Sequence, residues 1–158
     1  MTALDAAYRR LHDQEGWQPD PVQDAVVARL TEVAHNLDGF AGKGSGLFSR
    51  LVGAKQEMAP KGLYLWGGVG RGKTMLMDMF FANLPQRGAS ATGWRLHFHD
   101  FMVLAQDLIH EARARNEADP IAAAAAKLAA KGDVLCFDEM EVRDIADAMI
   151  VARLFTSI

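Results

Sequence analysis

Residues 67–74 read GGVGRGKT and match the spacing G-x-x-x-x-G-K-[ST] in full. These residue types suit the binding of phosphate. Several backbone N–H groups must converge on a small anion, and glycines permit both the turn and the close approach. A helix that starts directly after the loop adds its own N-terminal N–H groups and the positive end of its dipole. Gly67, Gly68, Val69, Gly70, Arg71, Gly72, Lys73 and Thr74 are therefore the expected nucleotide-binding residues. In this pattern the Lys73 ammonium contacts the β- and γ-phosphates, and the Thr74 hydroxyl binds Mg²⁺.

A phosphate loop alone does not hydrolyse anything. The second group of interest is VLCFDE at 134–139, an apolar run that delivers two acids at its end. Ligands of parallel sheets sit at the carboxyl ends of strands, which is where Asp138 and Glu139 would lie. Asp138 is expected to hold the hydration shell of Mg²⁺. Glu139 is expected to orient the attacking water or accept its proton. The expected catalytic pair is thus Lys73 and Glu139, the expected metal residues are Thr74 and Asp138, and the expected cofactors are ATP and Mg²⁺. No N-K-x-D motif occurs, and no D-x-x-G switch motif follows the loop, which disfavours GTP chemistry. Phosphoryl transfer to a small-molecule hydroxyl stays open.

Other residues carry weaker signals. His97 and His99 are two apart in a predicted strand, hence on one face, with Asp100 following. We read them as a strand end near the nucleotide pocket rather than as a metal site. Asp78 lies one turn beyond Thr74, where it either supports Thr74 or Lys73 or faces solvent. Cys136, the only cysteine, reads as inert core, and no internal disulfide can form. Met75, Met77 and Met79 read as core fill.

The elements that must position these groups follow from periodicity. Leu4, Ala7, Tyr8 and Leu11 predict a first helix ending near Gly16. Asp20 can cap a second helix with Pro21 at its first position. Val22, Val26, Leu30, Val33 and Leu37 then form one apolar stripe. GFAGKGSG at 39–46 is a glycine-rich linker, and Arg50, Lys55 and Lys61 make a mildly basic, solvated stretch after it. The expected domain organisation is a helical segment with linker over 1–46 and a P-loop core over 47–158. GLYLW at 62–66 predicts a buried strand, and a helix is expected from Met75 to Leu84. RLHFH at 95–99 predicts a second strand, with a helix from Phe101 to about Asn116. Asp119-Pro120 opens an alanine-rich helix, 134–137 forms a third strand, and Asp144 caps a last helix on which Ile145, Met149, Ala152 and Phe155 share a face. Alternating strands and helices imply an α/β fold with a mainly parallel sheet. The 158 residues are 50% hydrophobic and 23% charged with net charge −3, which fits one α/β domain without a basic bias toward nucleic acid. No apolar run reaches membrane-spanning length, and the acidic start is a poor targeting signal, so a cytoplasmic location is the expectation.

The motifs in order resemble one family. GLYLWGGVGRGKTMLMDMFF, RLHFHDFM, the DP at 119–120 and LCFDEMEVRDIADAMIVARLF are similar to the AFG1-like AAA+ ATPases, with DPVQ at 20–23 extending the likeness to roughly residues 8–157. The resemblance implies a P-loop fold of AAA+ type, a three-layer sandwich, with Mg²⁺-dependent ATP hydrolysis and self-assembly into a ring. It makes 67–74 the Walker A loop, Asp138 the Walker B acid and Glu139 the catalytic glutamate, and it places Gln23 near the adenine. Bacterial relatives act in cell division through the tubulin-like division protein, and mitochondrial relatives in inner-membrane protein quality control. Such a partner is implied here, in the cytoplasm or peripheral at the inner membrane. Met140 stands where the family usually has Phe and Arg143 where Thr is common. Strands 4 and 5 of the five-stranded AAA+ sheet, a sensor residue, an arginine finger and the helical lid have no counterpart in these residues, so the sequence reads as the N-terminal portion of such an ATPase. Two other readings stand beside remodelling of a protein partner: a nucleotide-binding fragment without useful turnover, and a helicase-loader-like ATPase acting with single-stranded DNA, which the acidic composition disfavours.

Overall fold

Several helix starts in this chain are written in side-chain caps. In the computed structural model, which describes residues 2–13, 18, 20–41, 61–84, 93–142 and 144–157, Thr2 opens helix α1 (Ala3–His12) with a reciprocal capping box. The Asp5 amide donates to Thr2 Oγ1 at 3.1 Å and the Thr2 amide to Asp5 Oδ2 at 2.8 Å. Asp20 opens α2 (Pro21–Ala41) by accepting the Val22 amide at 2.9 Å, with Pro21 first in the helix as expected. The predicted linker, the basic residues Arg50 and Lys55, and the expected boundary after residue 46 lie outside the described residues. The chain divides into two compact units, Met1–Pro85 and Gln86–Ile158.

The first unit holds α1, α2 and α3 (Lys73–Ala82). Leu4 and Tyr8 of α1, Val27, Leu30 and Leu37 of α2, and Leu76, Phe80 and Leu84 in and after α3 are its buried apolar residues. The inward row of α2 is turned from the one expected. Val22 is 62% exposed, Val26 and Val33 are half-buried, and Val27 takes the inner place because the row 27, 30, 37 faces the other two helices. A larger departure concerns 62–66. These residues form no strand: Tyr64 is 66% and Trp66 83% exposed. A strand exists only by exchanging backbone hydrogen bonds with a neighbour, and among the described residues only the two strands of the second unit do so.

The second unit runs β1 (Gly93–His97), α4 (Phe98–Ala114), α5 (Pro120–Ala129), β2 (Val134–Asp138) and α6 (Ile145–Ser157). The strands pair in parallel, Gly93 opposite Val134 through His97 opposite Asp138, as a helical crossover requires. The observed sheet is therefore a two-stranded parallel pair, not the three strands expected. Alternation divides its faces. Trp94, Leu96, Leu135 and Phe137 pack on a core of Phe98, Phe101, Met102, Ala105, Ile109, Ala124, Ala125, Leu128, Val151 and Leu154. Arg95, His97, Cys136 and Asp138 fall on the other face. Phe101, fully buried, meets Phe137 edge-on with ring centres 4.6 Å apart.

Local chemistry sets the ends of these elements. β1 stops at His97 because Phe98 turns inward as the first residue of α4, so His99 lies in a helix and shares no strand face with His97. α4 ends on Asn116 at φ +58°, with Glu117 donating to the Ala112 carbonyl and Asn116 to that of Arg113, a Schellman closure that asparagine tolerates. Asp119 caps α5 through the Ile121 and Ala122 amides, both at 3.1 Å. Asp144 caps α6 through the Asp147 amide at 2.8 Å. The face of Ile145, Met149, Ala152 and Phe155 exists but points outward; Val151 and Leu154 carry the packing instead.

One buried group makes the first unit sensitive to alkali. Burial of the Tyr8 ring, then the nearby Asp24 carboxylate and the charge of Asp20, push its phenol from 10.0 up to about 12. The folded chain thus holds this proton more tightly than the unfolded one. The resulting stability is full below pH 10 and is lost as pH rises through about 12. Tyrosinate absorbance should show one late-ionising tyrosine that is missing in Tyr8→Phe, and that variant should lose this component of the alkaline decline in melting temperature.

Candidate nucleotide-binding site

The loop owes its shape to backbone that only glycine adopts readily. Gly70 lies at φ +78° and Gly72 at φ +79°, both left-handed. Gly72 is the residue from which α3 starts: its carbonyl accepts the Leu76 amide at 3.0 Å, and no side chain caps the helix. The first N–H groups of α3 therefore have no side-chain acceptor from that position, and they adjoin the loop as anion binding requires. Residues 67–71 are exposed, with Val69 fully so.

Lys73 folds back over this loop. Its ammonium donates to the Gly67 carbonyl at 2.8 Å and the Gly68 carbonyl at 2.7 Å. Hydrogen bonds from a charged donor are the strong kind, so the half-buried ammonium helps to close the loop into a ring of backbone around a positive centre. Phosphate oxygens are better acceptors for the same ammonium than neutral carbonyls. Thr74, the next residue, is exposed at the start of α3.

Helix α2 grips the loop from outside. Asp20 Oδ2 pairs with Arg71 Nη2 at 3.2 Å, while Gln23 Nε2 donates to the Arg71 carbonyl at 3.3 Å. The same Gln23 nitrogen lies 3.0 Å from where a Cβ on Gly72 would be, so a side chain there would push the Gln23 amide back slightly, in addition to the strain at φ +79°. Gln23 Oε1 is buried without a hydrogen-bond partner. Arg71 is thus held on both its side chain and its backbone by the first turn of α2. Sequence reading identified Asp20 as a cap and missed its second task, because a separation of 51 positions conceals the pair.

The acidic pair belongs to the second unit. Asp138 ends β2, and Glu139 follows at φ +52°, a conformation that costs a non-glycine residue about 1 kcal/mol or more. The Glu139 amide donates to Asp138 Oδ1 at 3.1 Å. Asp138 Oδ2 pairs with Arg95 Nη2 at 3.3 Å. Glu139 itself is exposed. Of the expected site residues, then, 67–74 are assembled into one loop in the first unit, and Asp138 and Glu139 stand together at a strand end in the second. His97, His99 and Asp78 are exposed. No group of three or more metal-ligating side chains occurs among the described residues. Arg95 is the neighbour that sequence reading missed; the available signal was its two-residue offset from a strand end, which has meaning only once β1 and β2 are known to be adjacent.

Comparison with known proteins places the chain in a family. The family model described as AFG1-like ATPase matches residues 2–158. The chain is 38% identical over 162 residues to the Escherichia coli protein named cell division protein ZapE, an alignment that takes in 96% of this chain and 41% of that one. It is 39% identical over 105 residues to the Danio rerio protein named lactation elevated protein 1 homolog B, covering 61% of this chain and 20% of that one. The chain spans about two fifths of the length of the bacterial relative. No solved structure matches. With nearly every residue inside the family match, this chain belongs to the AFG1-like ATPase family.

Proposed function

We propose that the chain is the nucleotide-binding part of an AAA+ ATPase that binds ATP with Mg²⁺ and hydrolyses it. The observation that carries this reading is the Lys73 ammonium, held by the Gly67 and Gly68 carbonyls inside a loop that left-handed glycines shape at a helix start. In this reading 67–74 wraps the phosphates, with backbone N–H groups and Lys73 neutralising their charge. Residues 1–46 are the helical segment before the ATPase core and 47–158 the first part of that core.

Thr74 and Asp138 fit Mg²⁺ by the chemistry of their donors. Both offer hard oxygen, the donor type that Mg²⁺ takes alongside phosphate and water. When bound, Mg²⁺ supplies neutralisation of charge on the transferring phosphoryl group. Glu139, fixed in a strained backbone by the Asp138 carboxylate, orients water and takes its proton. The work driven by turnover is remodelling of a protein partner in cell division, in keeping with the printed name of the bacterial relative. That partner is the tubulin-like division protein or an inner-membrane protein, and the full-length chain acts as a homo-oligomeric ring in the cytoplasm, peripheral at the membrane. No helix among the described residues is long and apolar enough to cross a membrane.

A second reading, nucleotide binding without useful turnover by these 158 residues alone, is favoured by one observation. The segment leading into the phosphate loop, 62–66, pairs as a strand with none of the described residues, and Tyr64 and Trp66 within it are exposed.

Three outcomes test these readings. Lys73→Ala should weaken ATP binding by about ten- to a hundredfold, the usual value of a hydrogen bond to a charged group, as read by calorimetry or a fluorescent nucleotide. In the full-length protein, Glu139→Gln should bind ATP normally and release no phosphate; steady turnover by that variant would remove Glu139 from the mechanism. Exchanging the clamp charges tests the grip of α2. Asp20→Arg should weaken nucleotide binding, and combining it with Arg71→Asp should restore part of the loss if the ion pair sets the loop, whereas independent losses would show that it does not.

A further inference from the structure

Asp138 is already served by a cation that belongs to the protein. Arg95 Nη2 lies 3.3 Å from Asp138 Oδ2, and the two side chains are only 30% and 16% exposed. The ladder explains why they meet. Arg95 is opposite Cys136 and His97 opposite Asp138, so Arg95 and Asp138 share a sheet face and stand one side-chain step apart on neighbouring strands. The apolar core covers the other face. The ladder fixes the backbone of Arg95, and the ion pair holds the end of its side chain at Asp138. The second carboxylate oxygen accepts the Glu139 amide. Both oxygens of the acid therefore have donors, one of them a full positive charge.

We propose that Arg95 is a built-in counter-ion for Asp138 that competes with the divalent cation, and so sets how much Mg²⁺ the protein needs to bind nucleotide. The inference rests on the reading of Asp138 as the acid that serves Mg²⁺. A guanidinium and a divalent cation repel each other, and at a partly buried carboxylate that repulsion is less screened than at an open surface. Mg²⁺ gains Asp138 by displacing Arg95 from Oδ2. Arg95 is a positioning residue: it touches the acid, not the substrate.

The test is the Mg²⁺ dependence of nucleotide binding by the full-length protein, read with a fluorescent ADP analogue and without turnover. Arg95→Gln removes the charge and keeps planar donors. It should lower the half-saturating Mg²⁺ concentration by about two- to fivefold, the scale of a partly exposed ion pair. Arg95→Lys keeps the charge and should stay near wild type. An unchanged or higher Mg²⁺ requirement in Arg95→Gln, or an equal shift in both variants, would overturn the proposal. A measurement on the unaltered protein covers the case in which Arg95→Gln does not fold. The NMR signals of the Arg95 guanidinium should change when Mg²⁺ is added to the ADP-bound chain and not when ADP is added alone; the same response to both would also overturn it. Wild-type protein that binds no nucleotide at any Mg²⁺ concentration would sink the ATPase reading itself, whereas normal Mg²⁺-dependent binding with no effect of Arg95 would remove this inference only.

Discussion

The absence of a side chain at Gly72 is the constraint on which the first unit depends. At φ +79° the backbone turns from loop into α3, and the Gln23 amide nitrogen packs 3.0 Å from where a Cβ would stand. That close approach lets the first turn of α2 reach the Arg71 carbonyl. With the Asp20–Arg71 ion pair, it ties the phosphate loop to a helix whose own packing lies on Val27 and Leu30. The loop is therefore held from behind by α2, which leaves its exposed side open to a ligand. Lys73 closes it from within through the Gly67 and Gly68 carbonyls. A larger residue at 72 would disturb the helix start, the Gln23 contact and the position of Lys73 together.

The second unit shows the same economy with different means. One strand pair has an apolar face committed to a ten-residue core and a second face that carries Arg95, His97, Cys136 and Asp138. The core face is the reason Asp138 can be held still. Phe137, the residue before it, is wedged against Phe98 and Phe101, so the strand end cannot drift. Glu139 then adopts a left-handed backbone immediately after that anchor, and its amide is satisfied by the Asp138 carboxylate. Strain of this kind persists where the surroundings over-determine it, and here it adjoins the acid that we assign to the metal.

Polar partnerships in both units run between residues far apart in sequence. Asp20 with Arg71, Arg95 with Asp138, and Asp119 with Arg153 at 3.1 Å each join separate elements. Asp20 and Asp119 are helix caps as well as ion-pair partners, so one carboxylate serves a local and a tertiary purpose at once. Hydrogen bonds from the Ala122 amide and neighbouring groups hold the Asp119 carboxyl below its ordinary range. Ionisation of that group is thus tied to the start of α5.

What the sequence determined by itself were the features that obey short-range rules. The phosphate-loop spacing of 67–74, the caps at Asp20, Asp119 and Asp144, and the strand ending in Asp138 are set by residues within a few positions of one another, where backbone geometry and local hydrogen bonds decide. Tertiary structure decided everything that depends on a neighbour. Periodicity defined a face of α2 and a face of α6, but not which face turns inward; Val22, Ile145 and Met149 are exposed because packing against other helices chose the adjacent row. The apolar run 62–66 has strand character in its residues, yet a strand is a relation between two segments, and none of the described residues pairs with it. His99 passed from strand to helix because Phe98 had a core to enter. Arg95 became a partner of Asp138 only when the parallel register set the two strands side by side, since a contact across 43 residues has no local cause to betray it.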